Sequence, residues 1–277
     1  MTVKLLNETE YVSSKALWTR CFGDGEMFTE WYYRARTKPE YVLGAFDGEL
    51  IGMLHMRPVV MRLAGKERKV CFVAGVCTAP EYRRRGVCAE LFEKAFPIMR
   101  KRAFEATVLQ PFDPGFYERF GYRVFIYRRA VRVRHKLPDP QRRQYDAKLL
   151  SDLYGDFIRE YEGASVRDEK YFEGFIEEFT SPSARLVVTE EGCCAGYADE
   201  DGLGFTAYEL FYKKGADPVS LLPGGFERYA FPLPVNAKAP GDPESTVETF
   251  SVIKPLDPAL SEELLRDGAS FYGFDKY

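Results

Sequence analysis

The stretch Val70 to Phe96, VCFVAGVCTAPEYRRRGVCAELFEKAF, constrains the fold of this chain more than any other. Val70, Phe72, Val73 and Val76 form an apolar, β-favouring run that reads as a buried strand. Pro80 stops that strand, because proline has no N–H to give a neighbour. Gly86 then allows a tight backbone turn. Ala89, Leu91, Phe92, Ala95 and Phe96 follow at helical spacing and predict the apolar face of an amphipathic helix. The first turn of a helix carries unpaired N–H groups and the positive end of the macrodipole, and here Arg83, Arg84 and Arg85 lead directly into it. Such a turn suits an anion, phosphate above all. The plainer alternative is a solvated basic connection between a strand and a helix.

The rest of the first half can be placed around this unit. Val3 to Leu6 predicts a strand, and Thr9 to Phe22 a helix with Val12, Ala16, Leu17 and Trp18 turned inward and Gly23 as its stop. Met27 to Ala35 predicts a second, aromatic-rich helix. Tyr41 to Phe46 and Leu50 to Met61 read as strands joined at Asp47-Gly48, a strong hairpin signal. Ala64-Gly65 turns the chain into the central strand. After the central helix come a strand at Ala106 to Leu109, a short helix at Asp113 to Arg119, and one bent strand or a strand pair at Tyr122 to Val133. With 277 residues, 45% of them hydrophobic and 15% aromatic, the chain can fill two domains.

Charge and cysteine usage exclude several function classes. A net charge of −3 provides no basic excess for nucleic acid, and the alternating basic run Arg128 to Lys136 reads as a solvated strand face. The opening MTVKLLNETEY lacks the apolar core of a signal peptide, and no apolar run reaches the length of a membrane span. We therefore expect a soluble cytoplasmic protein without nucleic-acid or membrane partners. The cysteines at 21, 71, 77, 88, 193 and 194 form no C-x-x-C pair, and His55 and His135 are the only histidines, so free thiols and no metal are expected. Cys88, beside the arginines, is either a reactive thiol or a small packing residue, and packing is the simpler reading. Adjacent Cys193 and Cys194 should face opposite ways on a strand, one in the core and one near the surface.

The run T-A-P-E-Y-R-R-R-G-V-C resembles the pyrophosphate-binding motif R/Q-x-x-G-x-G/A of the GCN5-related N-acetyltransferase (GNAT) superfamily. Arg83, Gly86 and Cys88 fall on its three defined positions, and Cys88 departs from the usual Gly or Ala. The element order of the first half is similar to that fold throughout. A second run, GFYERFGYRV from Gly115 to Val124, resembles the close of the acetyltransferase domain in the enhanced intracellular survival family of tandem acetyltransferases. Tyr117 falls on the tyrosine that protonates the departing thiolate in that family, a proton transfer open to a phenol of pKa about 10. Alternatively Phe116, Tyr117, Phe120 and Tyr122 are an aromatic cluster that packs the short helix.

The second half repeats the early order. After the linker-like 136–144, Ala147 to Tyr161 and Lys170 to Phe179 predict helices, and Arg185 to Thr189, Ala195 to Ala198 and Phe205 to Phe211 predict strands. Leu221 to Tyr229 takes the place of the central helix, and Thr246 to Ile253 is a late strand. No Arg-rich turn followed by Gly occurs there, so a second cosubstrate site is not expected. By the resemblance, the fold class is α+β, with tandem GNAT-like domains, each a mixed, mostly antiparallel sheet flanked by helices. The domains run 1–135 and 145–256, the second degenerate, and a tail spans 257–277.

What the resemblance implies for function is an acetyl-CoA-dependent transfer of an acetyl group to a primary amine by direct attack. The acceptor would be a small molecule, aminoglycoside-like compound or lysine. Backbone groups of Val76, Cys77 and Thr78 would hold pantetheine and polarise the thioester carbonyl. Arg83, Arg84, Arg85, Gly86, Val87 and Cys88 would hold the pyrophosphate. Tyr117 would be the acid. In longer members the C-terminal carboxylate is the base, which here points to Tyr277, with Asp275 as the alternative and a surface-packed tail (Phe271, Tyr272, Phe274) as the plain reading. His55 reads as a partly buried structural histidine, and Glu26, Glu30, Trp31 and Tyr32 as one wet helix face or an amine pocket. A homo-oligomer fits the family. Rival readings are a non-catalytic acyl-CoA-binding module and a longer-acyl or aminoacyl transferase.

Overall fold

A computed structural model describes residues 1–237 and 244–266 of the chain. These fall into two compact units, one of Met1–Val124 with the described residues from Ser251 onward, the other of Phe125–Phe250.

The first unit contains β1 (Thr2–Leu5), α1 (Glu8–Phe22), α2 (Glu26–Ala35), β2 (Val42–Asp47), β3 (Glu49–Leu63), β4 (Lys66–Thr78), α3 (Val87–Lys101), β5 (Ala106–Leu109) and α4 (Pro114–Glu118). Its strands lie in the order β1-β2-β3-β4-β5, and residues 252–255 pair antiparallel with β5. Every pairing is antiparallel except β4 with β5. The element order is the one the sequence predicts.

Local chemistry sets the element ends. Asn7 and Glu10 close a capping box at the start of α1, and Gly23 ends it at φ 72°. Ala64 and Gly65 both adopt positive φ in the tight β3–β4 turn. The inward face of α1 differs from the expected one: Tyr11, Ser14, Leu17 and Trp18 are buried, whereas Val12 is 60% exposed and Ala16 is also outside. Tyr11 and Ser14 can go inside because their hydroxyls have partners. Tyr11 donates to the Tyr33 carbonyl at 2.6 Å, and Ser14 Oγ lies 2.9 Å from the Tyr33 hydroxyl. In α3 the buried set is Val87, Leu91, Phe92, Ala95 and Met99. Ala89, expected on that face, is exposed because at about 100° per residue it falls roughly 120° from the face's centre.

The second unit contains β6 (Arg123–Val133), α5 (Ala147–Ile158), β7 (Ser165–Val166), α6 (Glu169–Glu178), β8 (Ala184–Val188), β9 (Gly192–Ala198), β10 (Gly204–Tyr212), β11 (Arg228–Pro234) and the first part of β12 (Glu244–Pro255). The strand order is β12-β6-β11-β10-β9-β8, with β10 and β11 parallel. Cys193 and Cys194 do point to opposite faces of β9, but both are fully buried. One packs with α5 and α6, the other with Leu221, Leu222 and Phe226, so both faces of the strand are covered. Leu221 to Tyr229, which takes the place of the central helix, forms no α-helix. A single 3-10 turn ends at Leu221, and Pro223-Gly224-Gly225 breaks the chain before β11 begins at Arg228. Strand β11 tolerates Pro232 and Pro234 because its pairing with β10 ends at Ala230. The basic run of β6 is matched by acids of the same unit: Arg128 pairs with Glu248, and Arg132 and Arg134 with Glu244. Arg167 is buried in a bidentate pair with Glu209 (3.0 and 3.1 Å), its guanidinium over the rings of Tyr154 and Tyr171.

One further helix, α7 (Pro258–Arg266), lies where the sequence suggests only a tail. Leu260 and Leu264 are buried, and Arg68 binds both Glu105 and Glu263, which anchors α7 in the first unit.

Candidate active site

The central strand is bent by a bulge. Between the pairs His55 with Ala74 and Met53 with Cys77, β4 carries Gly75 and Val76 against Leu54 alone on β3. Gly75 has φ 57°, and a Cβ there would sit 2.5 Å from the Trp18 ring, so the position demands glycine. The parallel pairing of β4 with β5 covers only Val70 to Phe72. Beyond it, among the described residues, Val73 to Thr78 have β3 on one side and no strand on the other. A bare strand edge offers N–H and C=O groups to an extended ligand. Val76, Cys77 and Thr78 all lie on this stretch.

The chain leaves that edge into the arginine turn. Arg83, Arg84 and Arg85 are exposed; Arg84 and Gly86 take left-handed conformations at φ 63° and 83°. Arg83 Nε donates to the Thr78 carbonyl at 3.3 Å, and the Arg85 guanidinium lies 5.3 Å from the Tyr82 ring centre. Helix α3 has no side-chain cap, and its first hydrogen bond runs from Glu90 N–H to the Gly86 carbonyl at 3.1 Å. The N–H groups of Val87, Cys88 and Ala89 therefore point into the turn as a set of donors. A Cβ on Gly86 would meet nothing within 4 Å, so the approach is open. Behind it, Gly52 lets α3 sit close: a Cβ there would be 2.7 Å from Val87 Cγ1 and 3.0 Å from the Cys77 carbonyl. Donors, positive charge and space all fit a diphosphate.

Tyr117 comes to the same apolar cluster as Val76 and Cys88. Asp113 caps its short helix through Gly115 N–H at 3.0 Å, and Pro114 occupies the first turn. Its ring meets Phe92, Phe116 and Tyr122 at centroid distances of 6.0, 5.0 and 6.1 Å, so the aromatic packing expected of this segment is present. Burial, with a smaller contribution from Cys88, pushes the phenol up to about 12; it keeps its proton at neutral pH. Burial likewise moves Cys88 up to about 11, which makes it a packing thiol. Tyr277, Asp275, Phe271, Tyr272 and Phe274 lie outside the described residues.

The sequence model of the acetyltransferase (GNAT) domain matches residues 2–125. Those residues are a GNAT acetyltransferase domain. Over 93–94% of its length the chain shares its fold with solved structures of low identity. A GCN5-related N-acetyltransferase from Kribbella flavida is 18% identical, with a TM-score of 0.72 over 94% of this chain and 73% of that one. One from Anabaena variabilis is 13% identical, with a TM-score of 0.75 over 94% and 74%. Eis1 from Mycobacterium abscessus is 14% identical, with a TM-score of 0.69 over 93% and 74%. No curated protein sequence matches the chain.

Within the acetyltransferase domain the structure adds residues that sequence reading did not join. Trp18 stacks on Tyr32 at 4.5 Å, lies 5.3 Å from the His55 ring, and donates to Asp24 at 2.8 Å. His55 is fully buried rather than partly so, with Nδ1 3.2 Å from the Tyr32 hydroxyl. Burial, aided by Arg57, lowers it to about 3, so it stays neutral and is a poor base. Trp31 and Tyr32 are buried, Glu26 is exposed, and Glu30 pairs with Lys15 at 2.6 Å, so these four form no single wet face. The glycine in A-G-V was the available signal for the bulge, since an isolated glycine in a strand often marks one.

Proposed function

We propose that the chain is an acetyl-CoA-dependent N-acetyltransferase that acetylates a primary amine by direct attack on the thioester. The observation that carries this reading is the continuity of the bare β4 edge with the uncapped, arginine-lined start of α3. An extended arm ending in a diphosphate needs such a sequence of donors. In this reading the backbone of Val76, Cys77 and Thr78 aligns the arm and polarises the acyl carbonyl. The amides from Arg84 to Cys88, with Arg83, hold the diphosphate. Tyr117 returns a proton to the sulfur as the C–S bond breaks, and alignment of amine and thioester supplies much of the remaining rate. The acceptor class is a small-molecule or lysine amine. We further propose that the second unit is a degenerate acetyltransferase-like domain. The stretch between β10 and β11 supports this, because it holds only the 3-10 turn Pro218–Leu221, with no arginine turn leading into an uncapped α-helix.

Calorimetry with acetyl-CoA, coenzyme A and a long-chain acyl-CoA tests the cosubstrate, followed by thiol-release assays over a panel of amines. One acetyl-CoA per chain at micromolar affinity, abolished by Gly86→Glu, is the expected result. Binding without turnover on any amine would favour a non-catalytic acyl-CoA-binding module. Preference for the long-chain compound would favour a longer-acyl transferase. No binding at all would remove the proposal.

A further inference from the structure

Lys254 is a charged residue on an apolar face. It stands on the last part of β12 directly opposite Thr107 of β5, so both side chains point to the same side of the sheet. Val252 and Leu256, two positions before and after it, lie on that side as well, in the apolar cluster of Phe92, Phe96, Tyr117 and Tyr122. The Thr107 hydroxyl, 3.0 Å from that of Tyr122, marks the same side. An ammonium among such neighbours needs partners. Lys254 has two: Nζ donates to the Phe120 carbonyl at 2.5 Å, and it lies 4.2 Å from the centre of the Phe96 ring. Burial and the nearby Arg100 hold its pKa below the ordinary lysine value, and among the described residues no carboxylate offsets them.

The Phe120 carbonyl matters because of its place. Helix α4 has five residues, too few to hold a helical shape without outside contacts. Asp113 secures its start. At its end the Phe120 and Tyr122 N–H groups both donate to the Tyr117 carbonyl, at 3.0 and 3.3 Å, and Gly121 N–H donates to the Glu118 carbonyl at 2.8 Å. Phe120 is stacked on Phe92 at 4.6 Å. The carbonyl that Lys254 holds therefore belongs to the same turn as the backbone of Tyr117. Gly121 makes room for the contact: it takes φ 83°, and a Cβ there would stand 2.8 Å from Lys254 Nζ.

We propose that Lys254 is a positioning residue for Tyr117: its ammonium clamps the turn that ends α4 and so fixes the phenol relative to the sulfur of the acyl donor. Lys254 transfers no proton and touches no substrate. Its effect runs through the Phe120 carbonyl to the backbone of Tyr117, while the aromatic cluster holds the ring. A proton transfer needs its donor within hydrogen-bond reach, so a loosened turn costs turnover before it costs cosubstrate affinity. The catalytic consequence rests on Tyr117 acting as the acid, as in the proposed function; the clamp itself does not.

The test is Lys254→Met in the full chain, which keeps an apolar stem over Phe96 and removes the ammonium. Hydrogen exchange read by mass spectrometry should quicken about fivefold in the peptide from Phe116 to Tyr122, with the α3 peptide unchanged. The variant should lose about tenfold in kcat while calorimetry gives acetyl-CoA affinity within about twofold of the parent. In a Tyr117→Phe background the same substitution should change kcat by less than about twofold, because its loss runs through the phenol. Gly121→Ala, which crowds Nζ off the carbonyl with Lys254 still present, should reproduce the faster exchange and the lower kcat, and it takes over the test should Lys254→Met not fold. Unchanged exchange at α4 overturns the clamp. Losses that multiply in the double variant overturn the positioning role, since Lys254 would then act apart from Tyr117. A Tyr117→Phe protein with parental kcat counts instead against the proposed function, with the exchange rates still deciding the clamp.

Discussion

Gly75 and Gly86 both have positive φ, yet substituting alanine should do different things at the two sites. At Gly75 the new Cβ would meet Trp18 at 2.5 Å and His55 at 3.3 Å. Trp18 has little room to yield, because it is stacked on Tyr32 at 4.5 Å, in contact with Phe22 at 4.7 Å and tied to Asp24 at 2.8 Å. Overpacking of about 2 kcal/mol and left-handed strain of about 1 kcal/mol give about 3 kcal/mol together. At about 2–4 °C per kcal/mol, Gly75→Ala should lower Tm by roughly 6–12 °C. At Gly86 nothing stands within 4 Å, so only strain remains, about 1 kcal/mol and roughly 2–4 °C. Gly86→Ala should nevertheless weaken acetyl-CoA at least tenfold, because relaxation toward negative φ re-aims the amides of the turn. Tryptophan fluorescence follows the relevant unit alone, since Trp18 and Trp31 are the only tryptophans and both lie in it. If Gly75→Ala melts within about 2 °C of the parent, the ring gives way, and the argument that Trp18 holds the bulge is wrong.

Other expectations rest on single side chains. Tyr117→Phe should cut kcat by about a hundredfold with acetyl-CoA affinity unchanged; stopped-flow turnover and calorimetry separate the two, and an equal kcat would leave Tyr117 as packing only. His55 is lowered by burial to about 3, whereas the unfolded side chain titrates near 6.5. Between these values the unfolded chain holds a proton that the folded chain rejects, so the contribution is complete above pH 6.5 and lost as pH falls, by about 1.4 kcal/mol per unit. Urea melts of His55→Gln between pH 6 and 4 should therefore show a shallower decline than the parent, and parallel declines would contradict the buried neutral ring. Arg167→Ala removes the bidentate partner of the buried Glu209 carboxylate and should cost about 3–5 kcal/mol by urea denaturation followed by circular dichroism, with the Arg167→Met, Glu209→Met pair recovering most of it. A cost under about 1 kcal/mol for Arg167→Ala would show that water reaches the pair.

The first half was legible because its signals are local and agree with one another. The capping residues around α1, the Asp47-Gly48 and Ala64-Gly65 turns, and the proline, arginine and glycine punctuation before α3 all act within a few residues. Misreadings came where partners are distant. Val12 looked more apolar than Ser14, yet Ser14 is inside because Tyr33 accepts its company. One of Cys193 and Cys194 was expected near the surface, but Leu221, Leu222 and Phe226 cover Cys194 while α5 and α6 cover Cys193. Leu221 to Tyr229 stands where the first half has its central helix, but Pro223 and two glycines break the chain there, and its apolar residues cover a sheet.

Within the candidate site the division is similar. The Arg83 to Cys88 turn was readable because a helix start and its anion preference depend on consecutive residues. Position 117 was found by resemblance, while its environment, an aromatic cluster that raises the phenol, was not. The packing of Trp18 on Tyr32 and beside His55 joins two helices to a strand, and no spacing rule connects them. By itself the sequence determined the order of elements in the first half and the placement of the anion turn, since these follow from periodicity, turn chemistry and backbone donors over short spans, while the α+β class came with the family resemblance. The tertiary structure alone decided that Gly75 stands in a bulge against Trp18 and that His55 is neutral. Those properties depend on burial and on neighbours brought together by folding, and burial is not a property of any residue taken in its sequence order.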